Sequence, residues 1–144
     1  MVEAKDIGML LAFFGLYNND VNGRTRIQKD ICILKYERGV DLHFDFEAHY
    51  YGPFSAELSD TVDTLVAVGL LEEKIQVLPT GVLRYDYGLT EAGKQMSVDL
   101  IRSLKKTDPK TIQTIQELII NLKDKPIGEV VKQAKACSGI QSTL

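Results

Sequence analysis

The chain of 144 residues has little of what marks an exported or membrane protein. It contains two cysteines, four prolines and no tryptophan. With only Cys32 and Cys137, a disulfide framework is not expected, and a reducing compartment is the natural expectation. The longest apolar stretch, 7–17, is shorter than the roughly 20 residues that cross a bilayer, and acidic residues precede it. We therefore expect a cytoplasmic protein without a membrane segment.

The chain also lacks an overall basic charge, which is the usual electrostatic mark of a nucleic-acid binder. Its net charge is −3, and the charge is unevenly distributed. Residues 1–72 hold six Lys/Arg against twelve Asp/Glu, and residues 73–144 hold eleven against eight. The first half is therefore acidic and the second half mildly basic.

Apolar residues make up 44% of the chain, enough for one globular core, and their spacing predicts where the elements lie. Helical spacing predicts helices over 4–17, 24–37 and 55–68, which end at Asn or Gly. Ser55 is predicted to be the N-cap of the third helix, and Thr90 is predicted to cap a fourth.

Two regions show the alternation that is typical of strands. Strict alternation over 42–50 predicts a half-buried strand with Leu42, Phe44, Phe46, Ala48 and Tyr50 on the inner face. Shorter alternations over 71–77 and 82–87 flank Pro79-Thr80-Gly81 and predict a β-hairpin. The order of these elements is that of a winged helix.

The remaining chain adds two helices, one after Pro109 and one after Pro126. Apolar side chains recur at heptad-like spacing in the first of them: Ile112, Ile115, Ile119 and Leu122. This stripe either pairs with a second copy or folds back on the first helix, and we favour a homodimer. The predicted fold class is mainly α with small β: a winged-helix domain over 1–105 and a C-terminal helical extension over 106–144, which packs on it or dimerises.

Segments 23–29 and 49–58, the second leading into 69–71, resemble the YwgA-like proteins and the related Panacea domain of phage-associated and antitoxin proteins. The resemblance covers roughly the first 90 residues. It implies a helical, winged-helix-like fold, no cofactor, and a role in regulation or in toxin neutralisation. Segment 85–93 further resembles the wing-to-helix junction of winged-helix regulators, although the wing carries only Lys74 and Arg84 as cations.

The candidate binding residues come from three places in this pattern. The second helix is predicted to direct its cations outward, where they could contact phosphates or an acidic protein, or form an ordinary solvated face. The aromatic residues around the Gly-Pro turn suit either core packing, which we favour, or a protein interface. The full set for nucleic-acid or partner binding is Arg24, Arg26, Lys29, Tyr50, Tyr51, Phe54, Ser55, Lys74 and Arg84.

Metal binding and catalysis find little support in the residues. His43 and His49 lie six residues apart in the predicted strand, a span of roughly 20 Å, so they cannot share one ion. The sequence has no phosphate-binding glycine loop and no nucleophile elbow, and Cys32 is predicted to lie in the core. We therefore predict no enzyme activity, no cofactor and no metal site.

These features together predict a non-catalytic winged-helix regulatory module that binds DNA in the manner of a transcription regulator. The alternative is an antitoxin-type module that neutralises a toxin-like protein by direct contact. The outward side chains of the third helix favour this alternative, because Glu57, Asp60 and Asp63 would repel phosphates in the major groove.

Overall fold

The computed structural model describes residues 1–143 and shows a mainly helical chain with two small antiparallel sheets. The helices are α1 (Ala4–Tyr17), α2 (Arg24–Tyr36), α3 (Ala56–Ala67), α4 (Glu91–Thr107), α5 (Pro109–Leu122) and α6 (Ile127–Ser138). The strands are β1 (Val21–Asn22), β2 (Glu47–His49), β3 (Gly52–Phe54), β4 (Leu71–Val77) and β5 (Leu83–Leu89). The prediction of a mainly α fold with a small β component is confirmed. Within residues 1–143, none of the helices combines the length and apolar character that a bilayer crossing requires.

The predicted hairpin is present as β4 and β5, although the second strand extends to Leu89 instead of ending at residue 87. The pairing is antiparallel, with Leu71 opposite Leu89 and Val77 opposite Leu83. Gly81 occupies the connecting turn with φ of +83°, a conformation that glycine adopts without strain. β1 pairs with the other edge of β5, which gives a three-stranded sheet in the order β1-β5-β4.

Both predicted helix caps are confirmed. The Ser55 hydroxyl accepts a hydrogen bond from the Leu58 backbone N–H at 3.1 Å, and α3 begins at the next residue. The Thr90 hydroxyl accepts from the Gly93 N–H at 3.1 Å at the start of α4. Each cap satisfies one of the backbone donors that a helix leaves unpaired at its N-terminus.

The predicted strand over 42–50 is wrong in its extent. Only its last part forms a strand, β2, which pairs with β3 in a tight hairpin of its own. Upstream of β2, side chains take the place of a partner strand: Asp6 accepts from the His43 N–H, and Lys35 donates to the Phe44 carbonyl. Leu42 and Phe44 are buried as predicted, whereas Ala48 and Tyr50 are exposed. The alternating pattern identified an extended, half-buried segment. The same pattern occurs whether or not such a segment pairs with another strand, so it could not show where the strand begins.

The core lies between α1 and the helices around it. α1 contacts α4 and α5, while α6 packs along α2 and also touches β3. Gly15 of α1 allows the closest approach, because a Cβ there would lie within 1.8 Å of the Ser97 hydroxyl oxygen on α4. The C-terminal helices are therefore part of one packed body with the elements before them.

The stripe of α5 does not form a free surface. Its four side chains are buried within the chain: Ile112, Ile115, Ile119 and Leu122. A homodimer through these residues conflicts with this packing, since the chain itself already covers them. Of the two arrangements that the sequence left open, the structure shows the stripe packed inside the chain.

Candidate binding cleft

The two segments that carry the family resemblance meet in space. The first two turns of α2 and the β2–β3 hairpin line a cleft of about 190 Å³, here called the aromatic cleft. Its lining residues are Arg24, Thr25, Gln28, Lys29, His49, Tyr50, Tyr51 and Phe54. Five of the nine predicted binding residues therefore lie together, although they come from segments about 20 residues apart.

Gln28 anchors the hairpin to α2. Its amide accepts from the Ser55 backbone N–H at 2.8 Å and donates to the Ser55 carbonyl at 2.9 Å, both in the interior. This pair mimics a step of a β-ladder and holds the chain where β3 passes into α3. Lys135 of α6 packs against Gly52 on the same hairpin, at a position where φ is +96°. The hairpin is thus fixed between α2 and α6.

Lys29 was predicted to point outward, and this prediction is wrong. The residue is 3% exposed, and its ammonium donates to the Pro53 carbonyl at 3.0 Å. Burial removes water from the charged form and lowers the pKa of Lys29 to about 8. Helical spacing alone places Lys29 on the outer side of α2. The β2–β3 hairpin returns over this side of the helix and covers it. Lys29 therefore fixes the hairpin and cannot reach a phosphate.

Arg26 is also buried, in contrast to the prediction. Its guanidinium donates to the Leu122 carbonyl at 3.1 Å and to the Lys125 carbonyl at 2.7 Å. These carbonyls belong to the C-terminal end of α5 and the turn after it, where helix carbonyls lack intrahelical partners. Arg26 thus caps α5 from α2, and its charge is used inside the protein.

Arg24 is partly exposed and joins three elements at one side of the aromatic cleft. Its Nε donates to the Tyr87 hydroxyl at 2.6 Å, and Nη1 donates to the Ser59 hydroxyl at 2.9 Å. Its Nη2 forms a salt bridge with Asp63 and lies 3.6 Å from Glu73. Burial and the hydrogen bond to Glu73 raise the pKa of Tyr87 to about 12, so the phenol stays protonated. The carboxylates of Asp63 and Glu73 therefore neutralise the Arg24 charge, which the sequence had suggested for phosphate binding.

Ser55 lies beside the aromatic cleft but is fully buried. Its hydroxyl caps α3, and its backbone pairs with Gln28. The Ser55 side chain is thus used within the chain and offers no exposed surface to a partner. The signal that identified the residue, a serine directly before a helical repeat, is the signal of an N-cap.

Aromatic side chains form the open wall of the aromatic cleft. Tyr50 is 57% exposed and Tyr51 is 62% exposed, so the preference for core packing is wrong for these two residues. Phe54 is half-buried and stacks on the His49 ring, with 4.6 Å between the centroids. Large exposed aromatics that lie next to a fixed backbone are typical of protein interfaces.

The two hairpin cations are also paired within the chain. The Lys74 ammonium lies 3.0 Å from the Asp20 carboxylate. The Arg84 guanidinium makes a two-point contact with Asp86, at 2.8 Å and 2.9 Å. Both cations lie away from the aromatic cleft, on the other sheet face from Tyr87, because they occupy the alternate positions of their strands. The predicted site thus divides into a cleft and a separate hairpin.

Sequence reasoning missed Thr25, Gln28 and His49 as cleft residues. His49 had been assigned to the polar face of a long strand, and Gln28 carries no charge or aromatic ring. One signal could have found them, since all three lie inside the two segments that resemble the YwgA-like proteins.

The chain is 33% identical over 76 residues to a protein named as the uncharacterised protein YwgA of Bacillus subtilis (strain 168). The matched stretch is 53% of this chain and 45% of that relative, so less than half of the relative's length is covered. No protein-family model matches the chain, and no solved structure matches it. The similarity supports the predicted relationship to YwgA-like proteins.

Proposed function

We propose that the chain is a non-catalytic regulatory module of winged-helix type that acts by binding another protein through the aromatic cleft. The observation that carries this proposal is the contrast between its cations and its aromatics. Arg24, Arg26 and Lys29 are bonded to atoms of the chain itself, whereas Tyr50 and Tyr51 are exposed beside a concave surface. Exposed tyrosines on a fixed backbone contribute large contact areas at a small cost in side-chain entropy.

The order of the elements supports the winged-helix part of the proposal. α1, β1, α2 and α3 are followed by the β4–β5 hairpin, and the sheet order is β1-β5-β4. In such folds α3 is the helix that a DNA-binding protein places in the major groove. Here α3 exposes Asp60, which would face phosphates at short range, and Asp63, whose charge Arg24 partly offsets. The fold therefore suits a regulator, and the charge on α3 favours a protein partner over DNA.

The form of protein binding that the family resemblance implies is the antitoxin type, in which a toxin-like partner is neutralised by direct contact. The aromatic cleft is compatible with that role, because binding a partner side chain there requires no catalytic step. Its small volume of about 190 Å³ suits one or two side chains of a protein partner better than a whole cofactor.

Affinity capture with three purified baits tests the proposed surface. The baits are the wild-type chain, the double variant Tyr50→Ser/Tyr51→Ser, and the control Tyr36→Ser, which removes a tyrosine that is 40% exposed elsewhere. We expect the wild type and the control to recover the same protein from a nuclease-treated lysate of the source organism, and the double variant to lose it. Calorimetry with the purified partner should then show at least about a tenfold weaker Kd for the double variant. Equal affinity of all three baits would contradict the assignment of the cleft.

DNA binding is the second candidate, and the winged-helix order of the elements is the observation that favours it. Fluorescence anisotropy with a labelled duplex separates the two candidates. A DNA-binding protein would bind tightly and lose affinity steeply between about 50 mM and 200 mM salt, because phosphate contacts release counterions. We expect only weak binding for this chain. A steep salt dependence that is retained in the Tyr50→Ser/Tyr51→Ser variant would establish DNA binding instead.

A further inference from the structure

A second cluster of polar side chains lies away from the aromatic cleft, where the N-terminal end of α1 meets the extended segment before β2. The His43 Nδ1 atom lies 3.0 Å from Glu3 Oε2, 3.2 Å from Asp6 Oδ2 and 3.3 Å from Asp6 Oδ1. The potential ligand atoms of these three residues all lie within 4.8 Å of one another. Sequence reasoning compared His43 only with its strand neighbours and so missed partners almost 40 residues away.

The cluster is built into the fold on one side and open on the other. Asp6 is fully buried, and its carboxylate accepts from the Glu3 N–H at 2.7 Å and from the His43 N–H at 3.0 Å. The side chains of Glu3 and His43 are partly exposed. Glu3 and Asp6 are the two members of the capping box of α1, so backbone donors position both carboxylates, while solvent can still reach the side chains of Glu3 and His43.

The backbone hydrogen bonds explain the positions of the Glu3 and Asp6 carboxylates, but not why both carboxylates converge on one ring nitrogen of His43. One ring nitrogen carries at most one proton, and a single N–H cannot donate well to three oxygens at similar distances. A cation that accepts lone pairs from both the nitrogen and the oxygens has no such limit.

The distances from His43 Nδ1 to the carboxylate oxygens fit a first-row divalent ion. Bonds of roughly 2.0–2.2 Å from Zn²⁺ to nitrogen and oxygen place tetrahedral ligands about 3.3 Å apart. The separations of 3.0–3.3 Å from Nδ1 are close to this value. An imidazole with two carboxylates suits a transition ion better than Ca²⁺, which takes 6–8 oxygen ligands. The Asp41 carboxylate lies 3.9 Å from His43 Nε2, beyond hydrogen-bond distance, and its closer partner is the Lys5 ammonium at 2.6 Å.

We propose that Glu3, Asp6 and His43 form a binding site for a divalent transition ion of the Zn²⁺ type. The ion ties the start of α1 to the extended segment that leads into the β2–β3 hairpin. Three protein ligands leave the open side for water, and the site is independent of the proposed protein binding.

Calorimetry of the full chain with ZnCl₂, after removal of metal by a chelator, tests the site. We expect one ion per chain with a micromolar or tighter Kd, and a Kd at least about tenfold weaker for His43→Ala. His49→Ala is the matched control, because His49 is the other of the two histidines, and it should bind as the wild type does.

If His43→Ala is less stable than the wild type, two further measurements distinguish a lost metal ligand from a loss of folding. Glu3→Gln replaces an exposed carboxylate ligand with a neutral amide, which is a weaker ligand, and should also weaken Zn²⁺ binding. Circular dichroism checks that each variant is folded. Thermal unfolding should show a higher Tm with Zn²⁺ for the wild type and for His49→Ala, but not for His43→Ala. No binding by the wild type, or an equal loss of affinity in both histidine variants, would overturn the proposal.

Discussion

At the scale of single residues, Asp30 in the middle of α2 is unusual because its carboxyl group is buried. It is 1% exposed, and within residues 1–143 its Oδ1 has no hydrogen-bond partner. Burial raises the pKa of Asp30 from 3.8 to about 7, while the Arg26 charge acts in the opposite direction. A carboxyl in this state costs stability whenever it is ionised.

The sign of the pH dependence follows from these values. Because the pKa of Asp30 is higher in the folded chain than in the unfolded chain, the folded state binds the proton more tightly. The contribution of Asp30 to the free energy of unfolding therefore falls as pH rises from about 4 to about 7, and stays low above that. We expect Asp30→Asn to be more stable than the wild type at pH 8, by on the order of 2 kcal/mol, and to lose that advantage at pH 4.

Urea unfolding of both proteins across this pH range measures the difference directly. Asp99→Asn is a suitable control, because the Asp99 carboxylate is largely exposed and should leave the pH dependence unchanged. A wild type and an Asp30→Asn variant with parallel stability curves would show that Asp30 ionises normally.

At the scale of single elements, the N-cap of α3 is a point where local sequence and tertiary structure act together. The Ser55 hydroxyl caps α3, and the Ser55 backbone is held by Gln28. Ser55→Ala removes only the hydroxyl, so we expect the free energy of unfolding to fall by about 1 kcal/mol. The urea midpoint should decrease at an unchanged m-value. Ser103→Ala, on the exposed side of α4, provides the control and should change stability by less than about 0.5 kcal/mol. A similar loss in both variants would argue against a specific cap.

Gln28→Ala measures the other contribution at the start of α3, which is the pair of hydrogen bonds between the Gln28 side chain and the Ser55 backbone. It removes both side-chain hydrogen bonds to Ser55 and leaves a buried backbone N–H and carbonyl without these partners. We expect a larger loss than for Ser55→Ala, about 2–3 kcal/mol, because buried unpaired polar groups are costly. Hydrogen exchange should also become faster in β3, which Gln28 holds against α2. Unchanged exchange in β3 would mean that α6 and Lys29 hold the hairpin without Gln28.

The elements differ in how far the sequence could predict them. Short-range signals predicted the three N-terminal helices, the β4–β5 hairpin and both caps, because spacing, glycine and serine act within a few residues. The same signals failed for the extended segment before β2, where Asp6 and Lys35 supply hydrogen bonds from distant parts of the chain. The cleft was predictable in part: its aromatics were named, but the burial of Lys29 depends on the returning hairpin and has no local signal.

At the scale of the whole molecule, Arg26 connects the N-terminal elements to the C-terminal helices. It lies on α2 and donates to the carbonyls of Leu122 and Lys125, at the point where α5 ends and the chain turns toward α6. α6 in turn packs on α2 and on the hairpin that lines the aromatic cleft. The position of α6 therefore depends on a side chain about 100 residues earlier, and the cleft depends on the position of α6.

Arg26→Met should loosen this connection, because methionine can fill the space but cannot donate a hydrogen bond to either carbonyl. It also removes the positive charge that opposes the high pKa of Asp30. We expect the free energy of unfolding to fall by about 3 kcal/mol at pH 8 and by less at pH 4, where Asp30 is protonated in both proteins. Hydrogen exchange should become faster in α6 before it changes in α1, since α6 loses its fixed starting point.

Adding Asp30→Asn to Arg26→Met should recover the part of the loss that depends on pH and leave the faster exchange of α6 unchanged. Full recovery of both by the second substitution would mean that Arg26 acts only as a counter-charge and does not hold α5 and α6 in place.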